Sequence, residues 1–418
     1  MVNGQSTKLS SNSFKTIFWV TLYLCVYPIF SFAEPVDDLD YLNQLRSSAN
    51  LTPFDWNPQL ALAAENHAKY LSANHQSGHK EQKGKPFYTG DWADNRSIAS
   101  QYSNRMVSEN ITAKTGDINN YNPVDNLMTA IYHRFTFLDI TKDEIGIGYQ
   151  MDKLSAYVYV LGNKGLSQLC QQPPFKGAGE YYFNTCLDAD KKIGKQAFEK
   201  QDQALKLANP DLIIWPANNS TNIMPVFFEE SPDPLPSTSV SGYPVSIEFN
   251  SAKFPIPPKV KTFTLHEAKN NKAIEIIKIL NEKNDQNQNL TAYQHALFPK
   301  NRLLWGKQYS AKVSYFDPNS QSEKTHSWAF TTQGFEYPTY TIKPRTFPLT
   351  VEANKTFILY FPPRHSNDVN AALSYQDKGA GMEVSYIDKN TLKVIMKKEG
   401  TAVIDFHQKK LTLHSKRI

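Results

Sequence analysis

Apolar residues recur at helical spacing through the first third of the chain and alternate in short runs through the rest. Leu39, Leu42 and Leu45 repeat at every third position behind Asp37 and Asp38, which can cap a first helix that Leu51-Thr52-Pro53 ends. Asn57-Pro58 opens a second helix, because proline at the first helical position gives up an amide that has no partner there anyway. Its seam runs through Leu60, Ala63, Ala64 and Leu71 and carries His67 on the same side, so His67 is expected as an interior histidine with its hydrogen bonds met. Glu81 to Arg96 has no steady period and holds Gly84, Pro86, Gly90 and Trp92; an irregular stretch that long is usually functional or mobile, and it is expected to wall a cleft. Ile98 to Met106 predicts a short helix. Asn122-Pro123 then opens a third long one with Val124, Leu127, Met128 and Ile131 as its seam. His133 sits about 200° of rotation from Ile131 and is expected to point away from that core.

Strand patterns follow. Glu144 to Tyr149 has glycines where backbones must approach closely, and Ala156 to Gly162 alternates as its antiparallel neighbour. Helices around a small sheet predict an α+β region over 36–165. Beyond it, 166–210 reads as a cysteine-bearing loop and a charged linker that is helical or solvated between Lys191 and Ala208. Short runs such as Asp211 to Pro216, Tyr243 to Phe249, Lys259 to Leu265, Tyr309 to Tyr315 and Thr325 to Thr331 predict an all-β sandwich over 211–333. Phe357 to Phe361, Met382 to Tyr386, Thr391 to Met396 and Thr401 to Phe406 predict a further small β domain over 340–418. The basic end, Lys409 to Arg417, is expected as a solvated face rather than as a contact to an anionic envelope surface.

The first residues change the compartment. Lys8 and Lys15 precede an apolar run from Ile17 to Phe30 and then Ser31-Phe32-Ala33, the pattern of a secretory leader over 1–33 cut after Ala33. The run is shorter than a membrane-spanning helix needs, so no transmembrane segment is expected after the leader leaves, and a secreted, periplasmic or cell-envelope location follows. The formal net charge of +5 drops by two with the leader, and no basic patch is interleaved with aromatics. Nucleic acid is therefore not an expected partner. Of three cysteines, Cys170 and Cys186 remain as a pair in an oxidising compartment and are expected to form a disulfide.

Candidate chemistry lies in three segments, Gly78-His79, Ser108-Glu109-Asn110-Ile111 and Tyr132-His133-Arg134, each where the surrounding pattern changes. These blocks, with Leu42 to Arg46, Leu51 to Pro58, Ala63 to Ala68, Ala130-Ile131 and Glu144 to Tyr149, closely resemble the CAP superfamily, also called the SCP or PR-1-like family, in its bacterial secreted branch. The resemblance implies an α-β-α sandwich whose central cavity is lined by His79, Glu109 and His133, in some members holding a divalent, zinc-like ion. The second acid of the animal members precedes the last histidine, where this chain has Asn126, Thr129 and Ala130; Asp125 is a nearby substitute. The block Leu303 to Tyr309, closed by Trp328 to Thr332, resembles bacterial Ig-like domains. The acidic stretch Glu229, Glu230 and Asp233 is expected to be solvated.

Two function classes stay open. In the first, the cleft binds a lipid, a peptide or a cell-wall fragment and the β domains act as spacers. In the second, His79, His133 and Glu109 hold a metal that keeps an open position, or the two imidazoles ligate or polarise while Glu109 takes a proton from water, a metal-assisted hydrolysis of protease type. His133→Ala and Glu109→Gln are expected to weaken cavity binding and leave the fold largely intact, though for Glu109, beside apolar Ile111, the lost carboxylate can also disturb backbone donors; His67→Ala is expected to destabilise the fold.

Overall fold

The computed structural model describes residues 35–115, 122–343, 348–369, 372–407 and 409–417. The leader expected over 1–33 lies outside the described residues. The N-terminal α+β region runs α1 (Pro35–Ser48), β1 (Asp55–Trp56), α2 (Pro58–Asn74), α3 (Ala93–Ala99), β2 (Ser108–Thr115), α4 (Pro123–Thr129), α5 (Ile131–Phe137), β3 (Glu144–Gln150) and β4 (Leu154–Gly162). Its strands form one sheet in the order β1-β3-β4-β2.

Alternation along β4 builds two cores from one strand. Ala156, Val158 and Val160 pack with Leu60, Ala64 and Ala68 of α2. Tyr157, Tyr159 and Leu161 turn to the other face, against Leu42 of α1 and Val124 and Leu127 of α4. Helices thus cover both faces of the sheet, which makes the region an α-β-α sandwich. The glycines of β3 permit this closeness: a Cβ at Gly146 would stand 1.9 Å from the Ala61 nitrogen and one at Gly148 2.1 Å from that of Glu65.

Two helices depart from the sequence pattern. The expected helix Ile98 to Met106 is instead α3, five residues earlier, where the Asn95 side chain accepts the Trp92 amide at 3.2 Å; Gln101, at φ 66°, closes it. The third long helix is broken: Ala130 takes an extended conformation, φ −79° and ψ 120°, and α5 starts afresh after it.

After β4 come α6 (Lys164–Gln171), β5 (Tyr181–Tyr182), β6 (Ile193–Gly194) and α7 (Lys195–Leu207), the helical alternative for the charged stretch. Cys170 and Cys186 are bonded as expected. The strands β7 (Leu212–Trp215), β8 (Ser220–Ile223), β9 (Val226–Phe227), β10 (Ser241–Gly242), β11 (Val245–Phe249), β12 (Lys259–Glu267), β13 (Ile276–Asn281), β14 (Gln294–Pro299), β15 (Gln308–Asp317) and β16 (Ser322–Thr332) follow. They make a short β9-β10 pair and two four-stranded sheets, β13-β14-β11-β7 and β12-β15-β16-β8. Val245, Ile247 and Phe249 of one sheet share a core with Ala311, Val313 and Phe330 of the other, the arrangement of an Ig-like sandwich.

The chain ends in β17 (Thr339–Thr341), β18 (Leu349–Glu352), β19 (Thr356–Tyr360), β20 (Leu373–Lys378), β21 (Met382–Asp388), β22 (Thr391–Met396), β23 (Gly400–Phe406) and β24 (Lys409–Lys416), again two four-stranded sheets around one core. The basic end is therefore not merely a solvated face. β24 lies between β18 and β23 and buries Leu411 and Leu413, so its lysines alternate with core residues.

The first sandwich also grips the α+β region. Ile131, Tyr132 and Phe135 of α5 are packed with Leu280, Ala296 and Phe298 from the outer face of the β13-β14-β11-β7 sheet. Arg134 is fully buried in this contact, donating from Nη1 to the Pro244 carbonyl at 2.7 Å and from Nε to the Met128 carbonyl at 2.8 Å, with its guanidinium 4.7 Å above the Tyr243 ring.

Candidate functional site

Glu109 is the second residue of β2, next to α3. Arg96 of α3 is fully buried and donates through Nη2 to both carboxylate oxygens, 2.8 Å to Oε1 and 2.7 Å to Oε2, while its Nη1 donates to the His79 carbonyl at 3.0 Å. His79, on the irregular stretch after α2, places Nδ1 3.0 Å from Glu109 Oε1. Burial alone would raise the Glu109 pKa, but the His79 hydrogen bond and the Arg96 charge outweigh it and hold the carboxyl below its ordinary range. The side chain of Glu109 is 2% exposed and that of His79 43%, so the imidazole forms the accessible part of this group.

The long irregular stretch is organised by a second buried carboxylate. Glu81 accepts from the amides of Thr89 (2.7 Å) and Gly90 (3.2 Å) and meets His67 Nδ1 at 2.8 Å. His67 Nε2 lies 3.1 Å from the Gly78 carbonyl, and the ring is completely buried, an interior histidine with both nitrogens engaged.

His133 does point away from the α4 seam, but solvent is not what it meets. Its side chain is 13% exposed, and Nδ1 lies 3.1 Å from Oε2 of Glu230, a residue between β9 and β10. Glu230 is not solvated: its side chain is 1% exposed, and it accepts from the backbone amides of Ile131 at 2.6 Å and Tyr132 at 3.2 Å. Burial raises the Glu230 pKa, opposed by His133 and by those two amides. The break at Ala130 is what frees these amides, since the first N–H groups of a helix have no partner within it. Tyr132 is tied to the same region through its hydroxyl, which donates to Asp285 and accepts from Asn287 Nδ2 at 3.0 Å. Asp125, the substitute for the second acid, is turned elsewhere and accepts from the Tyr41 hydroxyl at 2.6 Å.

His79, Glu109 and His133 line one cleft of about 780 Å³, together with groups the sequence reading did not single out. Its far wall is the outer face of the first sandwich. Ser246 and Glu248 of β11 face away from the core that Val245, Ile247 and Phe249 occupy, and Glu248 stands opposite Gln294 of β14. The Gln294 amide donates to Glu248 Oε2 at 3.0 Å. Burial pushes the Glu248 carboxyl up to about 8; Gln294 opposes this, the nearby Asp139 charge adds to it, and Lys206 opposes it. Tyr293 and Lys206 also line the cleft. The signal available in the sequence was weak: Glu248 simply belongs to the polar phase of an alternating strand.

A cation would find two imidazole Nε2 atoms here, neither held by a hydrogen bond among the described residues, with each Nδ1 on a carboxylate. That pattern is the one that orients metal-ligating histidines. Glu109, the expected third ligand, has both oxygens on Arg96, and among the described residues no group of three or more His, Cys, Asp or Glu side chains gathers at ligating distance.

Residues 39–163 match the family described as the cysteine-rich secretory protein family, CAP. The chain therefore carries an N-terminal CAP domain, a fold consistent with a ligand-binding cleft. No curated protein matches. Among solved structures, an extracellular protein containing an SCP domain from Bacillus anthracis is 24% identical over 31% of this chain, with a TM-score of 0.26; the match spans 40% of that protein's length. An outer surface protein of Borrelia burgdorferi is 18% identical over 30% of this chain and 88% of its own, with a TM-score of 0.25. The cadherin-like domains of zebrafish RET are 13% identical over 50% of this chain and 51% of their own, with a TM-score of 0.19. Among the described residues no helix is long and apolar enough to cross a membrane.

Proposed function

We propose that this is an exported protein whose cleft, shared between the CAP domain and the first sandwich, binds a polar, extended, donor-rich ligand, with a cell-wall fragment as the fitting class. The carrying observation is the lining: Asp139, Glu248, Glu282, Asn289 and Gln294 present carboxyl and amide groups to about 780 Å³ of space. An acyl chain or sterol filling that space would strip water from these groups without replacing its hydrogen bonds, at about 1–3 kcal/mol for each. A ligand rich in hydroxyls and amide N–H groups replaces them. Tyr293 and Phe135 supply flat apolar surface beside the polar groups.

The hydrolytic reading requires Glu109 to take a proton from water. A carboxylate held below its ordinary range by the His79 hydrogen bond and a buried arginine is a weak base at neutral pH, which favours binding over turnover. A divalent ion in the cleft would be held by Nε2 of His79 and of His133, with Glu109 and Glu230 orienting the rings, and would add a Lewis-acidic contact for a ligand oxygen. The chain then divides into a leader (1–33), the CAP domain (36–165), a disulfide loop and linker (166–210), a sandwich that is half of the site (211–333) and a distal β domain (340–418).

Calorimetric titration of the chain lacking its leader with soluble muropeptides, and separately with a fatty acid and a sterol, tests the reading. Muropeptide binding without lipid binding is expected; lipid binding without muropeptide binding overturns it.

A further inference from the structure

We infer that Glu230, which lies outside the CAP match, sets the tautomer of His133 and so makes the Nε2 of that ring the atom the cleft presents bare. The argument is one of donor counting. Glu230 Oε1 accepts the Ile131 amide and Oε2 the Tyr132 amide, so both oxygens are already acceptors before the imidazole is considered. Ionised Glu230 has no proton to give, so the third contact, His133 Nδ1 at 3.1 Å from Oε2, is made with the ring nitrogen donating. Neutral His133 carries its proton on Nδ1, and Nε2 keeps its lone pair.

His79 obeys the same logic with residues of the CAP domain alone. Both oxygens of Glu109 accept from Arg96, so the His79 Nδ1 at 3.0 Å donates and its Nε2 is bare. The two imidazoles thus act as acceptors toward a ligand hydroxyl or amide N–H. For His133 this depends on a side chain that arrives from between β9 and β10 and replaces the acid which Asn126, Thr129 and Ala130 do not supply. Glu230 is a positioning residue: it acts on the ligand only through the ring it orients.

A purely structural capping role predicts no effect on the imidazole, and that separates the two. Glutamine at 230 has one acceptor oxygen, which the Ile131 amide claims, and its NH2 group then faces Nδ1 and can only donate to it. Glu230→Gln should therefore move the His133 proton to Nε2. Long-range ring 15N–13C correlation spectra of the full chain lacking its leader, recorded above the titration range of histidine, read this directly. Expected are a protonated-type shift at Nδ1 and a bare-type shift at Nε2 of His133 in the wild type, with the pattern reversed in Glu230→Gln. A wild-type His133 protonated at Nε2, or a pattern unchanged in Glu230→Gln, overturns the inference. The wild-type spectrum decides even where the variant folds poorly. The idea deepens the cleft reading, but its readout uses no ligand, so failure of muropeptide binding and failure of the tautomer assignment are distinguishable.

Discussion

His133 Nδ1 lies 3.1 Å from Glu230 Oε2 across a chain separation of 97 residues. The corresponding pair, His79 and Glu109, is 30 residues apart and lies wholly within the CAP domain. One half of the histidine site is therefore built locally, and the other half exists only because the first sandwich is docked against α5. The β-strands are thus not spacers alone.

That docking rests on Arg134. Arg134→Ala would leave the buried carbonyls of Met128 and Pro244 without their charged donor. A loss of about 3 kcal/mol is expected, measured by urea unfolding at neutral pH. A loss below about 1 kcal/mol would show that the contact between the CAP domain and the sandwich does not depend on this residue.

Glu109→Gln is now expected to destabilise the protein, contrary to the reading from sequence. It takes from the fully buried Arg96 the charge of its partner at 2.7 Å and leaves Glu81, 3.8 Å from Nε, as the remaining carboxylate, a change expected to cost about 1.5–3 kcal/mol. His79→Ala, with an imidazole 43% exposed, should stay within about 0.5 kcal/mol. Equal melting temperatures for the two variants would refute the asymmetry.

Glu248 makes stability depend on pH in a definite direction. Its folded pKa is raised from 4.5 to about 8, so between these values the folded state holds a proton that the unfolded chain has released, and stability falls as pH rises through that window. Glu248→Gln removes the group and should flatten this slope. Melts of both proteins from pH 4.5 to 8.5 check it, and parallel curves would contradict the raised carboxyl.

Replacing Cys170 and Cys186 together by serine should cost about 3 kcal/mol by loop entropy. The loop they close is also pinned by Arg105, whose amide donates to the Thr185 carbonyl at 2.8 Å, so the fold itself should persist with a lower melting temperature. An unchanged melting temperature would mean that these backbone contacts already restrain the segment.

Periodicity made the local architecture legible. The Asn57-Pro58 start, the seam of α2 with His67 inside it, the close-approach glycines of β3 and most strands of both sandwiches could be read from neighbouring residues alone. What escaped depends on distant partners. The break at Ala130 has no proline or glycine to announce it, because the amides it frees are satisfied by Glu230 rather than by a nearby side chain. Glu230 itself belongs to a short acidic stretch that resembles an ordinary solvated surface, and only the fold shows that it is enclosed. Glu109 was recognised, but the two hydrogen bonds it accepts from the buried Arg96 were not.

The most direct test of the shared cleft is calorimetric titration with soluble muropeptides of the wild type and of variants on its two walls, His79→Ala for the CAP domain and Gln294→Ala for the sandwich. The account predicts that either change weakens binding by about tenfold or more, about 1.4 kcal/mol, with the melting temperature little altered in His79→Ala and lowered in Gln294→Ala, which also removes the hydrogen bond to Glu248. Loss of affinity in His79→Ala with affinity unchanged in Gln294→Ala would confine the site to the CAP domain and contradict the account.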